Sequence, residues 1–186
     1  MKNIVIFASG SGTNAENIMH YFKGNEDIRI AAVFSNNPMA GVLDKAEKHG
    51  IPSIVFTKSE LADATVSKNL LDFSPDTIIL AGFLLKFPAG LIESYPGRII
   101  NIHPALLPKY GGKGMYGMNV HQAIMENKDT ETGITIHYID EHYDEGDIIF
   151  QKSITLSGNE TCEEIADKVR ELEHEYFPQI IEKLLK

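Results

Sequence analysis

The chain has 186 residues, enough for one domain with a sizeable core. Its 17 Lys and Arg against 26 Asp and Glu leave a net charge of −9, which argues against a dedicated nucleic-acid surface but not against a small anion held by local donors. Cys162 is the only cysteine, so an intramolecular disulfide and a cysteine-based metal cluster are excluded, and no apolar run approaches the roughly 20 residues of a membrane span. The opening run, Lys2 to Phe7, is too short for the apolar core and cleavage region of a secretory signal. These features lead to the expectation of a cytoplasmic protein with small-molecule partners, no membrane and no nucleic acid, acting as a monomer or homodimer.

In chain order, Ile4 to Ala8 reads as a buried strand. Ser9-Gly10-Ser11-Gly12-Thr13-Asn14 is a turn of small residues, and Ala15 to Phe22 has helical spacing. Strand Arg29 to Ser35, helix Val42 to His49 and short strand Ser53 to Phe56 follow. One helix is predicted over Leu61 to Phe73, stopping before Ser74-Pro75. Thr77 to Ala81 is a strand, Gly82 to Pro88 a loop, Leu91 to Tyr95 a helical turn and Arg98 to His103 the fifth strand. Gly111, Gly112, Gly114 and Gly117 give the next loop a mobile composition, and Asn119 to Asn127 looks helical. Thr132 to Ile139 alternates as a strand, Ile134, Ile136 and Tyr138 against Thr135 and His137, and it is expected to pair with Asp147 to Leu156 through the acidic turn Asp140 to Gly146. Cys162 to Leu185 is a long amphipathic helix containing Pro178. The fold class expected is α/β: a doubly wound, mostly parallel sheet with an antiparallel or mixed edge and a long C-terminal helix, as a single domain over residues 1–186.

Ile99-Ile100-Asn101-Ile102-His103-Pro104 carries the strongest chemical signal. Pro104 cannot donate to a sheet ladder, so the strand ends near His103. Asn101 and His103, two apart, leave an extended chain on one face. An amide donor and a titratable imidazole thus converge at the carboxyl end of a strand, where open α/β sheets bind ligands; a histidine satisfied in the core is the plain alternative. Gly10, Gly12 and Ala15 fit a dinucleotide-type turn, yet Phe34-Ser35-Asn36-Asn37 offers no ribose-binding carboxylate, and Gly12 is not followed by Lys. A phosphate monoester held by Gly12, Thr13 and Asn14 at a helix N-terminus fits better, against a purely structural turn. The histidines show no ligand-like spacing, so no metal site is expected. Asp144 lies in a segment whose charge suggests a solvated hairpin, and Arg170 with Glu173 reads as a surface pair.

Taken together, Ser9 to Asn14, Val33 to Asn36, Ala81 to Phe83, Asn101 to Tyr110, Glu173-His174 and Tyr176 to Pro178 closely resemble the phosphoribosylglycinamide formyltransferase family, in order along the chain. The resemblance implies transfer of a formyl group from 10-formyltetrahydrofolate, a co-substrate, to the amine of a phosphoribosylated glycinamide in purine biosynthesis, without a metal. It implies that Asn101, His103 and Asp144 are catalytic, and that Gly12, Thr13, Asn14 and Glu173 bind the ribonucleotide. Leu84, Leu85, Lys86 and Phe87, with Asn101, would line the folate pocket. Many members carry an arginine where this chain has Leu85, and the loop from Gly111 to Met118 is longer than in short-loop members. On this reading, Asp144 raises the pKa of His103 and favours its imidazolium. The alternatives are a formyltransferase for another phosphorylated or sugar amine, or a non-catalytic nucleotide-binding module.

Overall fold

The apolar runs form one seven-stranded sheet, in a computed structural model that describes all 186 residues. Strands β1 (Lys2–Phe7), β2 (Ile28–Ser35), β3 (Ser53–Val55), β4 (Thr77–Leu80), β5 (Ile99–His103), β6 (Glu131–Tyr138) and β7 (Ile148–Thr155) lie in the order β3-β2-β1-β4-β5-β6-β7. The first five are mutually parallel, while β6 pairs antiparallel with β5 and with β7. The expected mixed edge is therefore present.

Alternation along the strands divides the core between two faces. Ile4 and Ile6 of β1 point to one side, under α1 (Thr13–Tyr21), α2 (Gly41–Lys48), α6 (Met118–Glu126) and α7 (Cys162–Leu185). Val5 and Phe7 point to the other, under α3 (Lys58–Ala62), α4 (Thr65–Phe73) and α5 (Ala89–Ser94). On that second face the Phe7 ring lies 5.0 Å from Phe34, 5.4 Å from Phe83 and 5.2 Å from Phe87. Burying an aromatic ring is worth about 1.5–3 kcal/mol. Phe83 and Phe87 therefore pin the loop after β4 to the core and leave Leu84 and Lys86 exposed between them.

Strand order reverses between β1 and β4, and the loops leaving these two strands diverge there to open a crevice. Ser9 ties the crevice together. Its N–H donates to Gly82 O (3.0 Å), its hydroxyl donates to Asn36 Oδ1 (2.6 Å), and the same oxygen accepts from Leu84 N (3.0 Å).

One expectation is corrected. The helix predicted over Leu61 to Phe73 is two helices, because Thr57 and Glu60 form a capping box that starts α3 early. Ala64 then takes a left-handed conformation (φ 68°), and the Asp63 carboxylate accepts from Thr65 N (3.0 Å) to open α4. Strand β6 alternates as expected, and both of its faces are covered: Thr135 and His137, on its polar face, are fully buried. The segment after β5 covers that face. Thr135 Oγ1 donates to Ala105 O (2.7 Å) and accepts from Leu107 N (3.0 Å) and Gln151 Nε2 (2.9 Å).

Pro178 is accommodated inside α7 by a neighbour. It has no N–H for the carbonyl of His174 four residues back; Asn17 Nδ2 on α1 donates to that carbonyl instead, at 2.8 Å.

Candidate active site

A cleft of about 600 Å³ lies over the carboxyl ends of β4 and β5. Asn101, His103, Asp144, Asn14 and Glu173 share its lining with the segment Leu84 to Phe87. Residues from five separate parts of the chain therefore meet where the strand order opens the sheet.

Asn101 and His103 leave β5 on the same face, as their spacing requires. The His103 ring is almost fully buried, and its Nε2 lies 2.7 Å from Tyr110 O. A carbonyl can only accept, so Nε2 carries the hydrogen and Nδ1 is left to face Asp144 Oδ2 at 3.7 Å. Asp144 reaches this position through a residue with positive φ (58°) in the β6–β7 connection, and its Oδ2 accepts the Gly112 N–H at 2.9 Å. The glycine-rich loop is thus tied to the carboxylate beside the imidazole.

Charge at His103 differs from the expectation. The Asp144 carboxylate and the Tyr110 carbonyl both favour the imidazolium, but burial disfavours it more strongly, and the pKa falls below the ordinary histidine value. Burial thus favours the neutral form of the His103 ring.

Sequence reasoning missed His137. It is the cross-strand partner of Asn101 in the β5–β6 ladder. Its Nδ1–H donates to Tyr138 O (2.9 Å), which leaves Nε2 as the acceptor for Asn101 Nδ2 (3.1 Å). This bond fixes the Asn101 amide and leaves its second N–H free. Nε2 also lies 3.7 Å from Asp144 Oδ1, and burial lowers the His137 pKa. The signal available in sequence was weak: a polar residue at an alternating position of β6, with no strand register to pair it.

The other wall joins α1 to α7. Gly12 is the left-handed residue before α1 (φ 72°), and a Cβ there would fall 2.5 Å from Val42 Cβ, so close packing of α2 demands glycine. The first-turn N–H groups of α1 follow it. Thr13 is exposed at this turn, while Gly12 and Thr13 themselves are not part of the cleft lining. Asn14 reaches into the cleft, and its Nδ2 donates to Glu173 Oε2 at 2.9 Å. Glu173 does not pair with Arg170 as expected; the Arg170 guanidinium bonds Asp167 at 2.7 Å. Loss of solvent around Glu173 raises its pKa, against the opposing bond from Asn14. His121 also lines the cleft, and burial pushes its pKa down to about 4. Two buried atoms on these walls, Asn14 Oδ1 and His121 Nδ1, make no hydrogen bond and stand ready for a ligand.

At the opposite end, Leu85 is half-buried, Phe87 is anchored in the aromatic core, and Lys86 Nζ sits 5.9 Å from the centre of the Tyr143 ring. The exposed edge of Leu84, with Tyr143 beside Lys86, makes this end apolar. Such a surface suits a flat heteroaromatic ligand. The arrangement as a whole offers a fixed amide donor, a neutral imidazole and a carboxylate between an apolar pocket and a polar wall, which is the equipment for an acyl transfer. Outside the cleft, His20 and His49 do not stay scattered; they come together with Glu16.

Comparison with known proteins agrees with this geometry. The profile of the family described as "Formyl transferase" matches residues 2–181. Phosphoribosylglycinamide formyltransferase, chloroplastic, of Arabidopsis thaliana is 36% identical over 187 residues, covering 97% of this chain but only 64% of the plant protein. Phosphoribosylglycinamide formyltransferase of Bacillus subtilis is 35% identical over 192 residues, covering 100% of this chain and 95% of its own. Among solved structures, glycinamide ribonucleotide transformylase 1 from Geobacillus kaustophilus superposes with a TM-score of 0.91 at 32% identity, covering 100% of both chains. With nearly its whole length matched, the chain belongs to the formyl transferase family.

Proposed function

We propose that the chain transfers a formyl group from 10-formyltetrahydrofolate to the primary amine of a phosphoribosylated glycinamide, giving the N-formyl product and tetrahydrofolate. The names of the relatives support the acceptor and the formyl group transferred; the folate donor is what the sequence resemblance implies. The observation that carries the reading is the convergence of Asn101, His103 and Asp144 between the apolar pocket at Leu84 to Phe87 and the polar wall at Asn14 and Glu173. The folate ring occupies the apolar end, next to Asn101, and the phosphate sits at the N-terminus of α1 on Gly12, Thr13 and Asn14. Glu173 faces the amine.

The chemistry follows from the charges. The amine attacks the formyl carbon, so a C–N bond forms and negative charge grows on the formyl oxygen. The free N–H of Asn101, aimed by His137, donates to that oxygen; one such donor is typically worth about 2.7–4 kcal/mol. His103 starts neutral, so its Nδ1 accepts the amine proton, directly or through Asp144. The resulting imidazolium is held by Asp144 and Tyr110 O, and it adds positive charge beside the oxyanion. It then protonates the folate nitrogen as the old C–N bond breaks. The proton lost by the amine is the one gained by the leaving group, and His103 returns to its neutral state.

The test is a formyl-transfer assay with the glycinamide ribonucleotide and, in parallel, with sugar amines. Asp144→Asn is expected to lower kcat about 100-fold or more with little change in KM for the ribonucleotide; near-normal turnover would refute its role. Because burial lowers the His103 pKa, the fall in kcat caused by protonating His103 should set in only below the ordinary histidine value of about 6.5, apart from any decline in kcat/KM caused by protonation of the substrate amine at about pH 8. Preference for a sugar amine would leave the chemistry standing and overturn the substrate.

A further inference from the structure

We propose that Glu16, His20 and His49 form a surface site for a divalent transition-metal ion that imidazole binds well, with zinc as the type case. The site is independent of the formyl-transfer reading, because none of the three residues lines the cleft.

The backbone places these groups together by two separate routes. Glu16 and His20 are four apart on α1, so they stand one turn above the other on the same face. His49 is the residue that ends α2, and α2 packs beside α1. One ligand atom from each side chain lies within 4.8 Å of the other two. The two imidazole rings are 4.5 Å apart at their centroids and meet at 84°, edge to face rather than stacked, so a nitrogen of each is free to turn to a shared point.

Tetrahedral zinc has bonds of about 2.0–2.2 Å, which places neighbouring ligand atoms about 3.3 Å apart. Side-chain rotation closes the remaining gap: His20 is exposed, and Glu16 and His49 are half-buried. Three protein ligands would leave a fourth position for water.

Charge around the cluster selects the kind of ion. Lys45 Nζ bonds Glu16 Oε2 at 2.7 Å and holds the Glu16 pKa below the usual carboxylate range, so the carboxylate is ionised. Lys23, Arg29 and Lys48 line the same depression. This basic rim, with a single carboxylate, is poor for calcium or magnesium, which need several oxygen ligands. It is tolerable for an ion whose affinity comes from imidazole nitrogen. Lys45 acts as a competitor, since it and the metal seek the same carboxylate.

The experiment is calorimetric titration of zinc chloride into the full chain, in a buffer that does not chelate. One ion per chain is expected at a Kd of about 10 μM or tighter. His20→Gln and His49→Gln should each weaken binding at least tenfold, and Lys45→Met should tighten it severalfold by freeing Glu16. His20 is exposed and Lys45 and His49 are half-buried, and circular dichroism of the variants checks that they fold. Saturating zinc should also raise Tm in the parent chain but not in His49→Gln. No binding up to about 1 mM, or equal affinity in both histidine variants, would overturn the site; the latter result would place the ion elsewhere, for example at His103 and Asp144. An unchanged or weaker affinity in Lys45→Met would remove Glu16 from the ligand set and with it the three-ligand assignment.

Discussion

His121 shows how much a single buried imidazole can influence behaviour. Its pKa is pushed down to about 4, first by burial and then by the Arg170 charge. In the unfolded chain the same ring titrates near 6.5. Between these values the unfolded state binds a proton that the native state does not. The stabilisation is therefore complete above pH 6.5 and is lost as pH falls toward 4. His103 and His137 are shifted in the same direction and act with the same sign. Urea unfolding at pH 7.5 and pH 5 measures the effect: His121→Gln should lose about 2 kcal/mol less stability over that interval than the parent. An equal loss in both would mean that the ring is protonated in the native state. Neutral imidazoles are also what the proposed chemistry requires, since a neutral His103 can accept a proton and a neutral His137 can accept the Asn101 amide.

At the scale of the element, α7 depends on α1 for a bond it cannot make itself. The His174 carbonyl lost its helical donor to Pro178 and regained one from Asn17. Asn17→Ala should leave that carbonyl without its donor and cost about 1–3 kcal/mol, read as a lower Tm. Combined with Pro178→Ala, which restores the helical N–H, the cost should largely disappear. Elements of this kind were readable from sequence where the signal is local. The strand ends, the turn at Gly12 and the same-face pair Asn101 and His103 all follow from spacings of a few residues. Where two elements must find each other, spacing is silent. His137 meets Asn101 only through the antiparallel register of β5 and β6. Asp144 sits some 40 residues from His103, in a segment whose composition resembles a solvated turn; only the family resemblance singled it out. The break at Ala64 was missed because the apolar period continues across it while the backbone does not.

On the scale of the whole molecule, the loops around the crevice are tied together by one small residue. Ser9 bonds the loops after β1, β2 and β4 at once, through Asn36, Gly82 and Leu84. The turn proposed to hold the phosphate follows Ser9 in sequence, and the loop leading to Leu84–Phe87 is bonded to it. Ser9→Ala should therefore raise KM for both substrates, and lower stability by about 1–2 kcal/mol, while leaving the His103 pH profile unchanged. A rise in KM for one substrate alone would show that the loops are positioned independently.

The bond from Asn14 to Glu173 spans 159 positions of sequence and joins the turn that would grip the phosphate to the carboxylate that would face the amine. Grip at one end and alignment at the other are thus one mechanical unit. Part of the attraction for the phosphate is then converted into correct placement of the nucleophile rather than into tighter holding. A substrate stripped of its phosphate should consequently react slowly even when supplied in saturating amounts, with kcat falling along with kcat/KM. In Asn14→Ala that leverage is cut, and the same truncation should cost much less in kcat.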